Sequence, residues 1–166
     1  MMPALDLKLP DPGASETLGA ALGAHLDSAA LTVIHLVGEL GAGKTTLARS
    51  LLRARGVTGL IRSPTYTLLE NYEAGSLRCV HLDLYRLRSA LEVEELGLRD
   101  LLEPGTLLLI EWPERGGVAV PAADLQIHLE YAADARRARV SAASRGSEWL
   151  VSKLAHDASL TPYLSN

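Results

Sequence analysis

The apolar residues of this chain recur with two periods, and the switches between them lay out a succession of elements. Leu5, Leu7 and Leu9 alternate with Asp6 and Lys8 ahead of Pro10, the two-residue period of a short edge strand. Asp11-Pro12-Gly13 reads as a turn, with Ser15 as the N-cap of a helix that carries Leu18, Leu22 and Leu26 on one face. Leu31 to Val37 is a β-branched, mostly apolar run of the kind buried on both faces of a sheet. From Thr46 to Arg55 the period lengthens again, with Leu47, Leu51 and Leu52 inward and Gly56 as the stop.

Two extended runs follow, Tyr66 to Tyr72 and Leu77 to Leu84, joined by the hairpin signal Glu73-Ala74-Gly75-Ser76. Ala90 to Leu102 reads as helix, broken at Gly97 and closed by Pro104-Gly105. Thr106 to Ile110 is the continuous apolar run expected of a central parallel strand. Leu125 to Tyr131 and Arg139 to Ala143 flank a polar turn at Ala133 to Arg137, a second hairpin, and a last helix is predicted over Glu148 to Ala155. The expected fold is α/β, a mixed sheet with a parallel centre, antiparallel hairpins at its margins and flanking helices. The 166 residues are expected to form one domain, with a tail from about 157 to 166 that frays.

Composition narrows the setting. An apolar content of 48% with 22% charged residues is that of a folded soluble protein, so disorder is not expected. Cys79 is the single cysteine, which excludes an internal disulfide and a cysteine-rich zinc site; it falls in a strand-like run, where an inert buried thiol is expected. No stretch has the pattern of a secretory signal or the length of a membrane span, so a cytoplasmic location with no membrane attachment is expected. The net charge of −4 argues against a protein that grips nucleic acid by neutralising phosphates over a wide surface.

The chemistry enters at Gly38-Glu39-Leu40-Gly41-Ala42-Gly43-Lys44-Thr45, a complete G-x-x-x-x-G-K-[ST] loop between a predicted strand and a predicted helix. Glycines at 38, 41 and 43 allow backbone conformations in which successive N–H groups ring a phosphate, and the helix beginning near Lys44 adds its positive dipole end. Lys44 reaches the β- and γ-phosphates of a nucleotide, and the Thr45 hydroxyl supplies one ligand to Mg²⁺. Thr46 closes the motif as a packing or capping residue. The expected fold is therefore P-loop NTPase-like and the expected ligands are ATP or ADP with Mg²⁺.

Such a loop needs acidic partners. Asp83 follows Cys79-Val80-His81-Leu82 and Glu111 follows Leu107-Leu108-Leu109-Ile110, both at the ends of strand-like runs, where ligands of open α/β sheets sit. Glu111 is the better candidate for holding Mg²⁺ beside Thr45, leaving Asp83 to orient or activate the attacking water. Ser63-Pro64-Thr65-Tyr66-Thr67 stands where many P-loop proteins carry a switch segment, with Thr65 as the hydroxyl that senses the γ-phosphate. Trp112-Pro113 offers an aromatic wall beside the nucleotide or a contact surface. Arg86, Arg88 and Arg115 are candidate stabilisers of transferred charge, and His35, His81 and His128 lack metal-ligand spacing and read as structural.

These motifs together, Gly38 to Thr46, Ser63 to Thr67, His81-Leu82-Asp83-Leu84-Tyr85-Arg86-Leu87 and Glu111-Trp112-Pro113-Glu114, resemble in kind and order those of the TsaE family, formerly YjeE, across about residues 5 to 155. The resemblance implies a small bacterial ATPase of tRNA threonylcarbamoyladenosine synthesis, working with the partner proteins TsaB and TsaD and touching tRNA only through that complex. It also implies that the loop holds ATP, that Thr45 and Glu111 hold Mg²⁺, that Asp83 is needed for hydrolysis, and that Asp11 and Ser15 approach the nucleotide base. The tail beyond His156 has no counterpart in this resemblance. Without it, two rival readings stay open: a P-loop kinase of a metabolite or nucleotide, against which stands the lack of an arginine-rich lid segment after residue 90, and a nucleotide-gated binding module. The absence of an obvious resident arginine finger leads to the expectation of slow hydrolysis that partners accelerate.

Overall fold

A computed structural model describes residues 1–27, 29–30 and 32–166. Leu31, which the sequence places in the first long apolar run, lies outside them. Seven strands form one sheet: β1 (Ala4–Leu9), β2 (Thr32–Gly38), β3 (Leu69–Ala74), β4 (Leu77–Asp83), β5 (Thr106–Glu111), β6 (Leu125–Ala132) and β7 (Ala135–Ala142). Their order is β1-β7-β6-β2-β5-β4-β3. The inner pairs β6–β2, β2–β5 and β5–β4 are parallel, while β3–β4, β6–β7 and β1–β7 at the margins are antiparallel. The fold is the expected mixed sheet with a parallel centre. β5 is buried along its whole length, which is why its sequence is a continuous apolar run ending in a carboxylate.

Helices α1 (Pro12–His25), α2 (Lys44–Ala54) and α4 (Glu148–Ala155) cover one face, and α3 (Ala90–Glu95) with short 3₁₀ turns covers the β2, β4 and β5 portion of the other. The larger core packs Leu18, Leu22, Leu47, Leu51, Leu150 and Leu154 onto Leu36, Leu109, Ile127 and Val140. Fully burying each such side chain contributes about 1.5–3 kcal/mol, so this layer is the main anchor of α2, whose N-terminus carries Lys44 and Thr45. α1 crosses α2 at close range because Gly19 has no side chain: a Cβ there would stand 2.5 Å from the Leu47 carbonyl oxygen.

Four local expectations change. Asp11, not Ser15, caps α1; its carboxylate accepts from Ala14 N–H at 2.8 Å, with Pro12 in the first turn, where a missing N–H costs nothing. Ser15 is instead a buried residue of the helix. The expected strand from Tyr66 starts only at Leu69, because Pro64 to Leu68 closes a turn in which Leu68 N–H donates to the Pro64 carbonyl and Leu68 has φ 65°. The second hairpin turns at Ala133-Asp134, so β7 begins at Ala135 and Arg136 and Arg137 belong to the ladder. Finally, the tail expected to fray is docked. Leu160 is fully buried, Leu164 bridges Leu7, and Ser165 N–H donates to the Asp6 carbonyl. Two spaced leucines are enough to seat it against β1, but they are too few to show a period in the sequence.

Candidate functional site

The parallel strands β2, β4 and β5 end side by side, so the loop after β2 and the acidic ends of the other two meet at one edge of the sheet. Gly38, Gly41 and Gly43 all have positive φ, at 155°, 79° and 107°, values at which a side chain strains the backbone. Space is also limited: a Cβ on Gly38 would overlap the Leu129 carbonyl oxygen, and one on Gly41 would lie 2.8 Å from the Tyr131 hydroxyl. Tyr131 in turn donates to the Leu40 carbonyl at 2.8 Å, which ties the tip of the β6–β7 hairpin to the loop.

Lys44 opens α2 and is almost fully buried. Its ammonium donates to the Gly38 and Glu39 carbonyls at 2.6 and 2.8 Å and lies 4.4 Å from the centre of the Trp112 ring. Burial lowers the Lys44 pKa from its ordinary value, against the opposing pull of Glu111, Asp83, Glu114 and Glu39. Trp112 holds a left-handed backbone conformation, φ 57°, between the end of β5 and Pro113. Tyr85 packs on it at 4.9 Å between ring centres, and the Arg115 guanidinium lies over both rings.

Thr45 Oγ1 donates to Glu111 Oε1 at 2.9 Å, with Oε2 at 3.2 Å. Glu111 also receives His81 Nε2 at 2.7 Å, a contact in which both side chains are almost fully buried. Asp83 Oδ1 accepts from Tyr85 N–H at 3.0 Å, while Oδ2 faces the Thr65 hydroxyl at the longer distance of 3.4 Å. Thr65 is itself bonded to Ser63 at 2.8 Å. Burial first, and then the neighbouring Glu111, raise the Asp83 pKa above its ordinary value, while Tyr85, His81 and Thr65 oppose the shift.

A cavity of about 350 Å³ is lined by Lys44, Thr45, Thr65, Asp83, Glu111 and Trp112, together with Arg86. A second, of about 290 Å³, lies across the loop and is lined by Asp11, Ser15, Gly43, Thr46, Asp134 and Arg136. Gly41, Gly43 and Thr46 are common to both, so the loop and the first turn of α2 form the wall between them. The residues singled out in the sequence thus fall into two groups. Lys44, Thr45, Thr65, Asp83, Glu111 and Trp112 gather in the first cavity, and Asp11 and Ser15 in the second. Leu40 is exposed at the loop's crest, and Ala42 is buried beneath it. Arg86 stacks on the exposed Tyr66 ring at 4.5 Å, at the rim. The structure gives Arg88 no side-chain contact in the site; its backbone N–H donates to Glu92 at the start of α3.

The donor set fits a small hard cation. Thr45 and Glu111 offer hydroxyl and carboxylate oxygens within one hydrogen bond of each other. Among the described residues no group of three or more His, Cys, Asp and Glu converges on a metal position. Hydroxyl and carboxylate oxygens are the donor types that Mg²⁺ takes, one or two from a protein, with phosphate and water completing its octahedron.

Sequence reasoning misses His81, Tyr131, Asp134 and Arg136. A lone histidine in a strand carries no spacing signal, and its partner Glu111 lies on the neighbouring strand. The hairpin residues read as an ordinary polar turn; only the pairing of β6 with β2 carries that turn to the loop. The Arg136 guanidinium stacks 4.0 Å from the Tyr131 ring centre, beside the second cavity. Among the described residues no helix is long and apolar enough to cross a membrane.

Comparison with known proteins adds a family. The model of the family described as threonylcarbamoyl adenosine biosynthesis protein TsaE matches residues 9–139. A protein of Haemophilus influenzae named tRNA threonylcarbamoyladenosine biosynthesis protein TsaE is 44% identical over 104 residues, 63% of this chain and 66% of that one. Proteins of the same name from Synechocystis and Bacillus subtilis are 42% and 36% identical over 115 and 105 residues, 67% and 63% of this chain. The matches span about two thirds of the length of these relatives, 66%, 71% and 65%. The crystal structure of Bacillus subtilis YdiB superposes with a TM-score of 0.78 at 26% identity, covering 93% of this chain and 96% of that one.

Proposed function

The chain belongs to the TsaE family, and from that premise we propose that it is a Mg²⁺-dependent ATPase acting, with TsaB and TsaD proteins, in threonylcarbamoyladenosine modification of tRNA. One observation carries the reading. A loop with three glycines at positive φ, a lysine, a threonine and two carboxylates converge at the ends of three adjacent parallel strands.

In this reading the first-turn N–H groups of α2, which have no partner within the helix, and the loop N–H groups receive the phosphates. Lys44, whose ammonium rests on the Gly38 and Glu39 carbonyls beside the Trp112 ring, turns to phosphate oxygens when nucleotide binds. Thr45 and Glu111 hold Mg²⁺, which when bound supplies positive charge to the phosphate oxygens. Asp83 stands beside them with Oδ1 held by Tyr85 N–H; Oδ2, less firmly bonded, is the atom that orients the attacking water and accepts its proton. The second cavity takes the nucleoside, between Asp11 and Ser15 on one side and the β6–β7 turn on the other. With a net charge of −4, the chain reaches tRNA through its partners rather than by its own phosphate contacts.

The test is the fate of ATP. The expected result is slow release of inorganic phosphate by the chain with Mg²⁺, accelerated when TsaB and TsaD are added. A phosphorylated acceptor would replace this reading with a kinase, and ATP left intact under every condition would replace it with a binding module. Loss of threonylcarbamoyladenosine from tRNA in depleted cells, measured by mass spectrometry, tests the pathway separately.

A further inference from the structure

We propose that His81 is a positioning residue that sets the orientation of the Glu111 carboxylate toward Thr45, and through it the site's affinity for Mg²⁺. The proposal rests on the reading of Thr45 and Glu111 as the metal-holding pair. His81 lies on β4 opposite Leu109 of β5, with Asp83 opposite Glu111 two residues further on. The two-residue period of a strand puts all four on one face, the face that Leu109 shares with the core under α2. His81 is therefore a polar ring sunk in an apolar layer directly beneath Glu111, and it is fully buried.

A polar group in that position costs free energy unless it is bonded, and a histidine kept only for packing would be expected to satisfy both ring nitrogens. His81 does not. Among the described residues Nδ1 has no hydrogen-bond partner, and the ring's one polar contact there is Nε2 to Glu111 Oε2 at 2.7 Å. Because a carboxylate accepts, Nε2 carries the proton and donates. This bond occupies Oε2 from below and leaves Oε1 as the oxygen nearer the Thr45 hydroxyl. A carboxylate anchored at one oxygen has lost its freedom to rotate, so the hydroxyl and the free oxygen stay together. Partners that orient a metal ligand in this way typically change metal affinity by about 10–100-fold when removed.

The amide nitrogen of glutamine can stand where Nε2 stands, whereas that of asparagine falls near Nδ1, too short to reach Glu111. Full-length wild type, His81→Gln and His81→Asn are compared by calorimetry with ADP, once in EDTA and once over a Mg²⁺ titration, alongside thermal unfolding. The expected result is a half-saturating Mg²⁺ concentration raised about tenfold or more in His81→Asn and restored to within about threefold in His81→Gln, with Mg²⁺-free ADP affinity the same in all three. Equal Mg²⁺ dependence in the three proteins, or Mg²⁺-free affinity falling in parallel with thermal stability, overturns the positioning role.

Wild type alone provides a further check should His81→Asn not fold. Nitrogen-15 NMR of histidine-labelled protein is expected to find the His81 proton on Nε2, with a shift change when Mg²⁺ is added to the ADP complex; a proton on Nδ1 alone overturns the proposal. Wild type whose ADP binding ignores Mg²⁺ would overturn the metal reading and this inference with it. Normal Mg²⁺ dependence that the variants do not alter overturns this inference alone.

Discussion

Asp83 and Glu111 are Cα partners in the parallel β4–β5 ladder, so two carboxylates end adjacent strands at the same level and face one cavity. Their surroundings pull them apart in role. Glu111 is engaged by His81 and Thr45, whereas Asp83 is raised in pKa by burial and keeps one oxygen only loosely bonded. Glu111→Gln is therefore expected to raise the Mg²⁺ concentration for half-maximal phosphate release, and Asp83→Asn to lower turnover with little change in nucleotide affinity. A metal titration of both variants checks this, and the opposite pattern would exchange the roles.

Lys44 is the only residue whose side chain bonds both loop carbonyls, those of Gly38 and Glu39, among the described contacts. Lys44→Ala removes that tether and, on the proposed reading, the lysine charge that meets the phosphates. The expected loss is several kcal/mol of barrier stabilisation, roughly a thousandfold in turnover. Phosphate release at the wild-type rate from purified Lys44→Ala protein would refute the assignment of this loop to catalysis.

Much of the architecture is legible in the sequence because the signals are local. β5 declares itself by a short continuous apolar run ending in a carboxylate, and α4 has the bounds expected of it, Glu148 and Ala155. The conformation of the loop from Gly38 to Thr45 is legible because its signal is local: the structure gives positive φ to the three glycines at 38, 41 and 43. What the sequence hides depends on contacts made across the fold. Glu111 meets His81 only through strand register, and Tyr131 meets Leu40 only because β6 pairs with β2. The start of β3 is misplaced because the Tyr66–Leu68 residues have strand-like side chains but close a turn after Pro64. Ser15 and Asp11 exchange roles because both are good caps, and Pro12 decides for the residue before it.

The approach of α1 to α2 gives a test of how the helix that carries Lys44 and Thr45 is held. Gly19→Ala gains about 1 kcal/mol of helix propensity. The new methyl, however, would stand 2.5 Å from the Leu47 carbonyl oxygen, a backbone atom that cannot swing aside. Overpacking of this kind costs about 1–3 kcal/mol, so the clash outweighs the gain and net destabilisation is expected. Urea unfolding measures it; a variant as stable as wild type would show that the two helices can slide apart freely.

Cys79 is fully buried, and burial pushes its thiol up to about 11 despite the opposing charge of Arg55. At pH 8 such a thiol is about 0.1% thiolate even when reached, and only the thiolate attacks an alkylating reagent. Iodoacetamide is expected to leave the folded chain unmodified and to label it fully in denaturant, read by intact mass. Rapid labelling under native conditions would mean that the strand β4 beside the site opens frequently.

The docked tail is expected to loosen in acid. Asp157 accepts from Ser159 through both N–H and hydroxyl and from His25 Nε2 at 2.8 Å. The Ser159 hydroxyl first, and His25 and the Ser159 N–H after it, hold the carboxyl below its ordinary pKa. A carboxylate with a lowered native pKa contributes stability that is complete above its unfolded value, near about 3.9, and is lost as pH falls through the lowered native value. Solvent screens the pair, whose side chains are 29% and 18% exposed, so the contribution is below about 1 kcal/mol. Wild type is therefore expected to exceed Asp157→Asn slightly in stability at about pH 6, and the gap should close by about pH 2–3. Urea titrations of both proteins at the two pH values measure it. A gap that persists unchanged into acid would mean that the tail is held by Leu160, Leu164 and the Ser165 backbone bond to Asp6, without this carboxylate.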